Sequence, residues 1–486
     1  MQILCLLAVP ALIVWGIVFS NLFEKTQANL LPLLGLAVLL GGSVFGFEFF
    51  HVAAGPIPIT LDRLLLAGLL CLCGVFYVRG SEHLRPVNGA DLLILAWIGL
   101  NAISALTHDW RFLNNMPASR LLFFYFFPLA LYFVMRSVRL RPSDLQWIAL
   151  IMSAFGLYLA ITAIAETREL SSWVFPRYIM NASEQEFLGR GRGPFLNPVA
   201  NGVFMVVCSC CLWMWWPTSS PHRKALILGL SGILAAGIFC TLTRSVWIGF
   251  VASAGAFVWY PASRQSKGLM LIVATLISLA AFPVVGEKIF SFKRDKEVSQ
   301  SDMEQSANLR PLFAIVAWNM FQDRPLMGCG FGQYARAKYP YLQDPYSGKS
   351  LASTKYFMQH NVFLAYLTET GLAGLFLLMA MLLVIARHSW QLWHNKQIEL
   401  WPRMFGLLMI VMLLNYSING LFHDVSIIPM QNMLLMFLFG ILNNIQSQPL
   451  PFEVGCEVPT TGGLACGPTN LRKGVQTEQR SALQTS

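Results

Sequence analysis

Residues 225–262 read ALILGLSGILAAGIFCTLTRSVWIGFVASAGAFVWYPA and contain a single charged side chain, Arg244, near their centre. Two apolar blocks, 225–242 and 246–262, flank this arginine. Each block approaches the length of about 20 residues that a helix needs to cross a hydrocarbon core. A segment in lipid must satisfy its own backbone hydrogen bonds, so each block is predicted to be helical. The stretch therefore predicts two membrane-spanning helices joined by a tight turn.

The same pattern covers most of the chain. Of the 486 residues, 56% are hydrophobic and 12% are charged, whereas soluble domains carry about 25% charged residues. This composition excludes a water-soluble surface and predicts an all-α, polytopic membrane protein with 12 or 13 transmembrane helices. Thirteen apolar blocks lie near residues 2–20, 29–46, 62–78, 91–107, 120–136, 146–165, 198–216, 225–242, 246–262, 268–285, 361–386, 404–420 and 430–446. The first two blocks form either two spans or one span with a re-entrant piece.

The basic residues of the short loops predict the orientation in the membrane. Lys and Arg occur at positions 25, 79, 85, 136, 139, 141, 223, 224, 264, 267, 387, 396 and 403, in loops that alternate with nearly uncharged ones. Because cytoplasmic loops carry the excess of basic residues, segments 166–197 and 286–359 are predicted on the outer face. The predicted organisation is a transmembrane domain, 1–446, that contains a periplasmic loop, 286–359, and is followed by a disordered cytoplasmic tail, 447–486.

The 286–359 loop is predicted to be an ordered, partly helical cap. Asn308 and Pro311 indicate a helix start, and Asp323-Arg324-Pro325 indicates its end. Apolar residues between 312 and 321 give this helix an apolar side. A glycine-rich turn, Gly328-Cys329-Gly330-Phe331-Gly332, follows and leads to a second short helix around 333–338.

Several kinds of chemistry lack their motifs in this sequence. The chain has no Asp-x-Asp pair for a metal and a nucleotide sugar, no phosphate loop and no His-Glu-x-x-His zinc site. Trp215-Trp216 is followed by Pro217, so the tryptophan–tryptophan–aspartate signature of oligosaccharyltransferases is absent. The glycine-rich turn imitates a dinucleotide fingerprint but follows a helix rather than a strand. The net charge of +10 is scattered over loops, which argues against nucleic-acid binding. We expect no metal ion and no cofactor.

Arginines at the predicted outer face are the first candidate site residues. Arg244 lies at the tight turn between two spans, where a charge so near hydrocarbon is costly and marks a candidate functional residue. Arg310 stands near the start of the loop helix, and Arg190 and Arg192 lie in Gly189–Pro194, just before a span. Arg324 ends the loop helix and is a further candidate for substrate binding. Arginine presents a planar fork of donors that fits phosphate oxygens, so several together can bind a pyrophosphate. The alternatives are an Arg244 that reaches lipid phosphate and loop arginines that form ion pairs.

His360 is the second candidate, in the run Gln359-His360-Asn361 at the start of the span after the long loop. Gly371 lies eleven residues further on. Along a continuous helix, eleven steps of 100° return to within about 20° of the same face. Gly371 and Gly374 would then let another helix pack closely and fix the position of the histidine. The alternative is an interfacial histidine that contacts lipid headgroups.

These residues resemble the O-antigen ligase and polymerase family of bacterial membrane glycosyltransferases. The family hallmark is His-Asn/Ser/Gln, nine residues, then Gly-x-x-Gly/Thr/Tyr, and His360-Asn361 with Gly371 and Gly374 matches it. The Thr243–Trp247 turn is similar to the Ser/Thr-Arg-small-x-Trp turn of the family.

The resemblance extends into the loop. An arginine, a short helix with tryptophan and a Pro-hydrophobic-x-Gly-x-Gly stretch have their counterparts in Arg310, Trp318 and Pro325–Gly330. The stretch Gly193–Pro198 before a span is also similar to that of the family. The likeness is dense over 190–375, whereas the first 140 residues add only hydropathy. It implies a fold of the kind called GT-C.

The resemblance implies a function. Such proteins transfer a glycan from undecaprenyl pyrophosphate to an acceptor hydroxyl at the periplasmic face of the bacterial inner membrane, by one inverting displacement without a metal. Arg244 and Arg310 would bind the pyrophosphate, and His360 would position the acceptor or take its proton. Arg190, Arg192, Asn361 and Arg324 would bind substrate. The expected partners are the lipid-linked donor, the lipid bilayer and an acceptor on glycan, lipid A core or protein, with no nucleic acid.

Three alternatives remain open at this point. Ligase, polymerase and protein O-glycosylation ligase share the hallmark and differ only in the acceptor. A lipid-linked glycan flippase or transporter would carry cations along its central cavity and broken helices in two matched halves. The spans here are nearly free of internal charge, and their arginines, Arg63, Arg120 and Arg244, lie at predicted outer ends. The third alternative is an assembly protein whose loop merely binds a partner.

Overall fold

The computed structural model describes the larger part of the chain. The described residues are 31–52, 58–79, 85–181, 187–270, 272, 300–344, 348 and 350–447, without the side chains of 114, 115 and 300–308. The first predicted span, 2–20, most of the span 268–285 and nearly all of the tail 447–486 lie outside these residues. The choice between twelve and thirteen spans therefore stays a prediction.

The described chain is almost entirely helical. Its helices are α1 Leu31–Val44, α2 Leu61–Val78, α3 Gly89–Leu106, α4 Phe112–Leu121, α5 Phe127–Ser137, α6 Pro142–Thr167, α7 Pro198–Trp213, α8 Pro221–Cys240, α9 Arg244–Trp259, α10 Gln300–Asp323, α11 Tyr334–Ala337, α12 Val362–Glu369, α13 Gly371–His394, α14 Leu400–Phe422 and α15 Pro429–Ser447. A π-helical turn, Leu122–Phe126, joins α4 to α5. The strands β1 His51–Val52 and β2 Ile59–Thr60 form a small antiparallel hairpin in which His51 faces Thr60.

The helices confirm an all-α, multi-pass membrane protein. Within the described ranges, eight helical stretches are long and apolar enough to cross a bilayer. They are 61–78, 89–106, 116–137, 142–167, 198–218, 221–240, 371–394 and 400–422. The apolar helices α1 and α9 are shorter. The turn between α8 and α9 is as tight as the sequence predicts, because α8 ends at Cys240 and α9 begins at Arg244.

The predicted span 430–446 is helix α15, which is too polar to be among those eight. Its buried asparagines bond to neighbouring helices instead of facing lipid. Asn432 donates to the carbonyl of Phe124 in the π turn at 3.1 Å, and Asn443 donates to the Tyr132 hydroxyl at 2.7 Å. Asn444 donates to two carbonyls at the end of α5, at 2.8 and 2.6 Å. α15 is therefore an interior helix whose polar groups are matched by its neighbours.

The long loop lies at one end of the bundle, which we call the loop side. The Gln333 side chain donates to the carbonyl of Asp109 at 2.8 Å, and the Phe331 amide donates to the Ser104 hydroxyl at 3.0 Å. The loop therefore rests on the turn between α3 and α4. The opposite side is closed by an ion pair between Arg136 and Asp91, 2.5 Å apart.

The described part of the loop is ordered and packs its own apolar core. Val316 and Met320 of α10 are buried with Cys329, Tyr334 and Leu351. The predicted end of the first helix at 323 and the second short helix, now α11, are confirmed.

The predicted start of the first loop helix is wrong. α10 begins at Gln300, and Pro311 lies inside it rather than in its first turn. A proline removes one backbone donor and does not by itself end a helix, so the helix extends before it.

Candidate functional site

The site is built around a break between α12 and α13. α12 ends at Glu369, Thr370 has non-helical angles, and α13 begins at Gly371 with φ +65°. The predicted continuous span 361–386 is therefore wrong. Because α12 and α13 are separate helices, the argument that places His360 and Gly371 on one face fails.

The glycine-rich loop fills this break with its backbone. The amides of Cys329 and Gly330 donate to the carbonyls of Thr368 and Glu369, at 2.8 and 2.9 Å. In return, the amides of Leu372 and Ala373 donate to the carbonyls at 325 and 326, at 2.8 and 3.1 Å. The backbone groups freed by the helix break thus bond to the loop, as buried backbone groups must.

The two hallmark glycines have different roles from the helix packing predicted for them. A Cβ on Gly371 would clash with the carbonyl of Leu326 and would lie 2.7 Å from the Met327 nitrogen. A Cβ on Gly374 would lie 2.5 Å from the Cβ of Thr370. Gly371 admits the loop backbone, and Gly374 admits the threonine of the break. The neighbour is the loop of the same chain rather than another helix.

A buried ion pair fixes the loop from below. Arg120 of α4 lies 2.8 Å from the carboxylate of Glu369, and both side chains are almost completely buried. The same carboxylate accepts from the Gly332 amide at 3.1 Å, and the arginine lies 4.7 Å from the centre of the Phe331 ring. The sequence places Arg120 at an outer end of a span, but only the fold shows its partner. Glu369 is held by this pair, which argues against its use as a base.

His360 stands directly before α12 with φ +50°, an unusual conformation for a residue other than glycine. It is exposed, and the rings of Phe313 and Phe357 lie 5.5 and 6.3 Å from its ring. The next residue, Asn361, caps α12 by accepting from two backbone amides, at 2.9 and 3.1 Å, and donates to the carbonyl of Leu421 at 3.0 Å. The cap fixes His360 beside the end of α14.

Charged groups surround the imidazole. Arg310 lies 5.1 Å from the centre of the Phe422 ring, at the end of α14. Desolvation by the surrounding chain, followed by the charges of Arg310 and Lys338, lowers the pKa of His360 below its ordinary value near 6.5, although Asp424 acts in the opposite direction. The histidine is therefore neutral near pH 7 and able to accept a proton.

Asp424 is a further candidate site residue, which the sequence reasoning missed. It is 5% exposed and accepts from the Ser426 amide and hydroxyl, at 3.1 and 2.6 Å. Burial raises the pKa of Asp424, and the charges of Arg120 and His360 oppose this rise. An isolated acidic residue in a short outer loop without Lys or Arg was the available signal. The aspartate lies within electrostatic reach of both the buried ion pair and His360.

Arg244 begins α9 at the level of this group. A Cβ on Gly249 would lie 2.5 Å from the side-chain oxygen of Asn415 and 3.1 Å from the side-chain nitrogen of Asn419. Five residues before Gly249, Arg244 lies about 7.5 Å nearer the loop side. The same rise along the antiparallel α14, counted from midway between Asn415 and Asn419, reaches Phe422. Arg310 lies over the ring of Phe422. The half-buried Arg244 and the exposed Arg310 thus lie near the end of α14 on different elements.

Arg190 supports the turn that carries Arg244. It is buried, and its guanidinium donates to the Thr243 hydroxyl at 2.6 Å and to the carbonyl of Thr241 at 3.2 Å. The Gly191 amide donates to the carbonyl of Cys240 at 2.8 Å. The segment around Arg190 therefore fixes the 240–243 turn by direct hydrogen bonds.

Arg192 lies in the interior rather than at a surface. Its side chain is completely buried, 3.3 Å from the Glu166 carboxylate, and it donates to the carbonyl of Ile179 at 2.8 Å. The Gly193 amide donates to the same carboxylate at 3.0 Å. These contacts give Arg192 a structural role and no surface for a substrate.

Arg324 is not brought to the His360 group. It follows the last residue of α10 and is exposed. Fourteen residues of helix separate it from Arg310, which corresponds to about 20 Å. Within the described ranges, no three His, Cys, Asp or Glu side chains lie close enough to hold a metal ion.

Part of the chain matches a known protein family. Residues 229–379 match the family model described as O-antigen ligase. This range contains Arg244, Arg310, His360, Gly371 and Gly374, and it confirms the family resemblance predicted from the sequence. No curated protein matches the chain.

Proposed function

We propose that this protein is a glycosyltransferase of the O-antigen ligase type. It transfers a glycan from undecaprenyl pyrophosphate to an acceptor hydroxyl on the periplasmic face of the bacterial inner membrane. The loop side of the bundle is then the periplasmic side, in agreement with the basic residues of the opposite loops. The family match over 229–379 supports ligase-type chemistry. The identity of the donor, the identity of the acceptor and the location in the inner membrane belong to the proposal.

One observation supports the proposal: a neutral histidine and two arginines lie at the level of the end of α14. Asn361 binds the carbonyl of Leu421, Arg310 lies over Phe422, and Arg244 lies at the same level on α9. The group lies on the loop side, where a lipid-linked donor would place its headgroup at the membrane surface. A proton acceptor beside two cations suits a reaction that deprotonates a hydroxyl and releases a pyrophosphate.

The proposed reaction is a single displacement. The acceptor oxygen attacks the anomeric carbon, and the bond from that carbon to the pyrophosphate oxygen breaks. Undecaprenyl pyrophosphate leaves with the bonding electrons, and one displacement inverts the anomeric configuration. The hydroxyl proton passes to the neutral imidazole of His360. Arg244 and Arg310 stabilise the charge on the leaving group, so the proposal includes no metal ion.

Asp424 has a supporting role in this scheme. A carboxylate in the electrostatic environment of His360 stabilises the imidazolium that forms when the proton is transferred. The Ser426 hydrogen bonds hold Asp424 in place, and the Arg120 guanidinium, which pairs with Glu369, donates to the Ser426 hydroxyl at 3.4 Å. Asp424 thus makes the neutral histidine more basic than it would be beside Arg310 and Lys338 alone.

The test is a gel profile of cell-envelope glycans from a deletion strain that carries wild-type protein, His360→Ala or His394→Ala. His394 ends α13 on the opposite side of the bundle and is the matched control. We expect His360→Ala to lose transfer at normal membrane levels and His394→Ala to keep it. Full rescue by His360→Ala would contradict the proposed role of the histidine.

The same profile separates the acceptors. Long polymer left on undecaprenyl pyrophosphate, with none on the lipid A core, identifies a ligase. Single repeats on the core without a ladder identify a polymerase. Unchanged lipopolysaccharide with loss of a glycoprotein identifies a protein O-glycosylation ligase. Accumulation of the donor on the cytoplasmic face would instead indicate a flippase and would contradict the proposal.

A further inference from the structure

A second site lies on the loop side, away from His360. A cavity of about 320 Å³ opens between α1, α2, the π turn and the start of α15. Its apolar wall includes Val38, Leu66, Phe123, Phe127 and Met433. This volume lies within the range of about 300–1,000 Å³ that is typical of small-molecule sites.

Polar groups collect at one end of this cavity. Glu48, Thr60, Asp62 and Arg63 line it together. The Arg63 guanidinium lies 3.9 Å from the centre of the Phe123 ring and donates to the carbonyl of Pro58. The cavity therefore has an apolar body and a charged end, and it would fit a molecule with an apolar chain and a charged headgroup.

Buried polar atoms at this end have no hydrogen-bond partner among the described residues. They are the Thr60 hydroxyl, one carboxylate oxygen of Asp62 and the Nε of Arg63. Thr60 is completely buried and is the N-cap of α2, yet its hydroxyl makes no capping hydrogen bond. Buried polar groups in folded proteins nearly always have hydrogen-bond partners, so these atoms indicate a ligand that bonds to them.

The charges select the kind of headgroup. Glu48 and Asp62 contribute two negative charges and Arg63 contributes one positive charge, so the charged end is net negative. An anionic lipid would meet net repulsion there. A zwitterionic headgroup can place its phosphate at Arg63 and its ammonium at the two carboxylates.

The Thr60 and Asp62 oxygens without a hydrogen-bond partner favour one kind of zwitterionic headgroup. A primary ammonium has three N–H donors, which suit the unpartnered oxygens of Thr60 and Asp62 and the exposed carboxylate of Glu48. A quaternary ammonium such as choline has none, and the acceptors would stay unsatisfied. We infer that this cavity binds one aminophospholipid of the ethanolamine type from the leaflet on the loop side, with its chain along α1 and α2. The site is separate from the proposed reaction and does not depend on it.

The experiment is native mass spectrometry of the full chain in detergent, with phosphatidylethanolamine, phosphatidylglycerol or phosphatidylcholine added at equal concentration. We expect retention of one phosphatidylethanolamine, with at least about ten-fold lower retention of the other two lipids. Equal retention of the three lipids, or a bound polyprenyl phosphate at this site, would overturn the inference.

Variants assign the binding to the cavity. Arg63→Gln is expected to lower phosphatidylethanolamine retention about ten-fold, as loss of a charge-assisted hydrogen bond would. Asp62→Asn is expected to reduce the preference over phosphatidylglycerol. Leu66→Trp fills the apolar body and should remove binding of all three lipids. Arg79→Gln, at the other end of α2, is the matched control and should bind as wild type does.

Folding is checked by the elution profile of each variant in detergent. If Leu66→Trp loses its monodisperse peak, Arg63→Gln and Asp62→Asn decide the question, because they change charge at nearly constant side-chain size. Identical lipid retention in Arg63→Gln and Arg79→Gln would show that the lipid lies elsewhere.

Discussion

Substitution of Gly371 by alanine tests the contact between the helix break and the glycine-rich loop. The residue has φ +65°, a conformation that costs a residue with a Cβ about 1–2 kcal/mol. The new Cβ would lie 2.7 Å from the Met327 nitrogen, below the 3.0 Å that real Cβ atoms respect, and would clash with the Leu326 carbonyl. The neighbour is backbone and cannot turn aside as a side chain can, so the loop must shift.

The magnitude follows from the hydrogen bonds that this shift breaks. Two of the four backbone bonds at the break are donated by Leu372 and Ala373, next to the substituted residue. Their loss costs about 1 kcal/mol each, and with the strain the total destabilisation is about 3–4 kcal/mol. The ion pair between Arg120 and Glu369 is not broken directly, so we expect the loop to detach while the bundle keeps its fold.

Two assays read this outcome. Arg336 is exposed on the loop and is followed by Ala337, so limited trypsin digestion in detergent should cleave Gly371→Ala there faster than wild type. The thermal midpoint should fall as well. Gly99→Ala is the control, because a Cβ on Gly99 in α3 meets nothing within 4 Å. Equal cleavage rates and midpoints for the two variants would refute the proposed packing of the loop in the break.

Three further predictions concern the charged groups. Glu369→Gln leaves Arg120 buried without its counter-ion and should destabilise the protein by about 3–5 kcal/mol in thermal unfolding, with partial recovery in the double variant Arg120→Met/Glu369→Gln. Because the pKa of His360 is lowered, glycan transfer should persist below pH 6.5 and fall only as the imidazole becomes protonated. The charge of Arg310 contributes to this lowering, so the residual activity of Arg310→Gln should fall at a higher pH than the activity of wild type does. Arg310→Ala should lose far more transfer activity than Arg324→Ala in the same gel profile, and equal losses would place the site along the whole of α10.

Hydropathy was sufficient to predict most of the fold. Blocks near 20 apolar residues can satisfy their backbone in lipid only as helices, and the described blocks are mainly helical in the structure, although 361–386 is broken at Thr370. Local rules also predicted the turn at Arg244, the end of α10 and the short helix α11. They did not predict the start of α10, because local rules favour a proline in the first turn of a helix, whereas Pro311 lies in the interior of α10.

Only part of the candidate site could be predicted from the sequence. The hallmark pointed to His360, Gly371 and Gly374, but the periodicity argument assumed a continuous helix. Hydropathy does not detect a break at Thr370-Gly371 because the apolar pattern continues across it. The break exists because the loop backbone satisfies the freed amides and carbonyls, and those partners are about forty residues away in the chain.

The arginines show the same division between sequence and fold. The sequence placed Arg190 and Arg192 just before a span, Arg244 at a turn between spans, and Arg310 and Arg324 near the two ends of the predicted loop helix. The family resemblance assigned the pyrophosphate to Arg244 and Arg310 and substrate binding to the other three. The tertiary structure decided that Arg192 pairs with Glu166 in the interior, that Arg190 supports a turn and that Arg310 lies at the end of α14. It also brought Asp424 into the group. Charge type is a local property of the chain, whereas the partner that satisfies a buried charge is set by long-range packing.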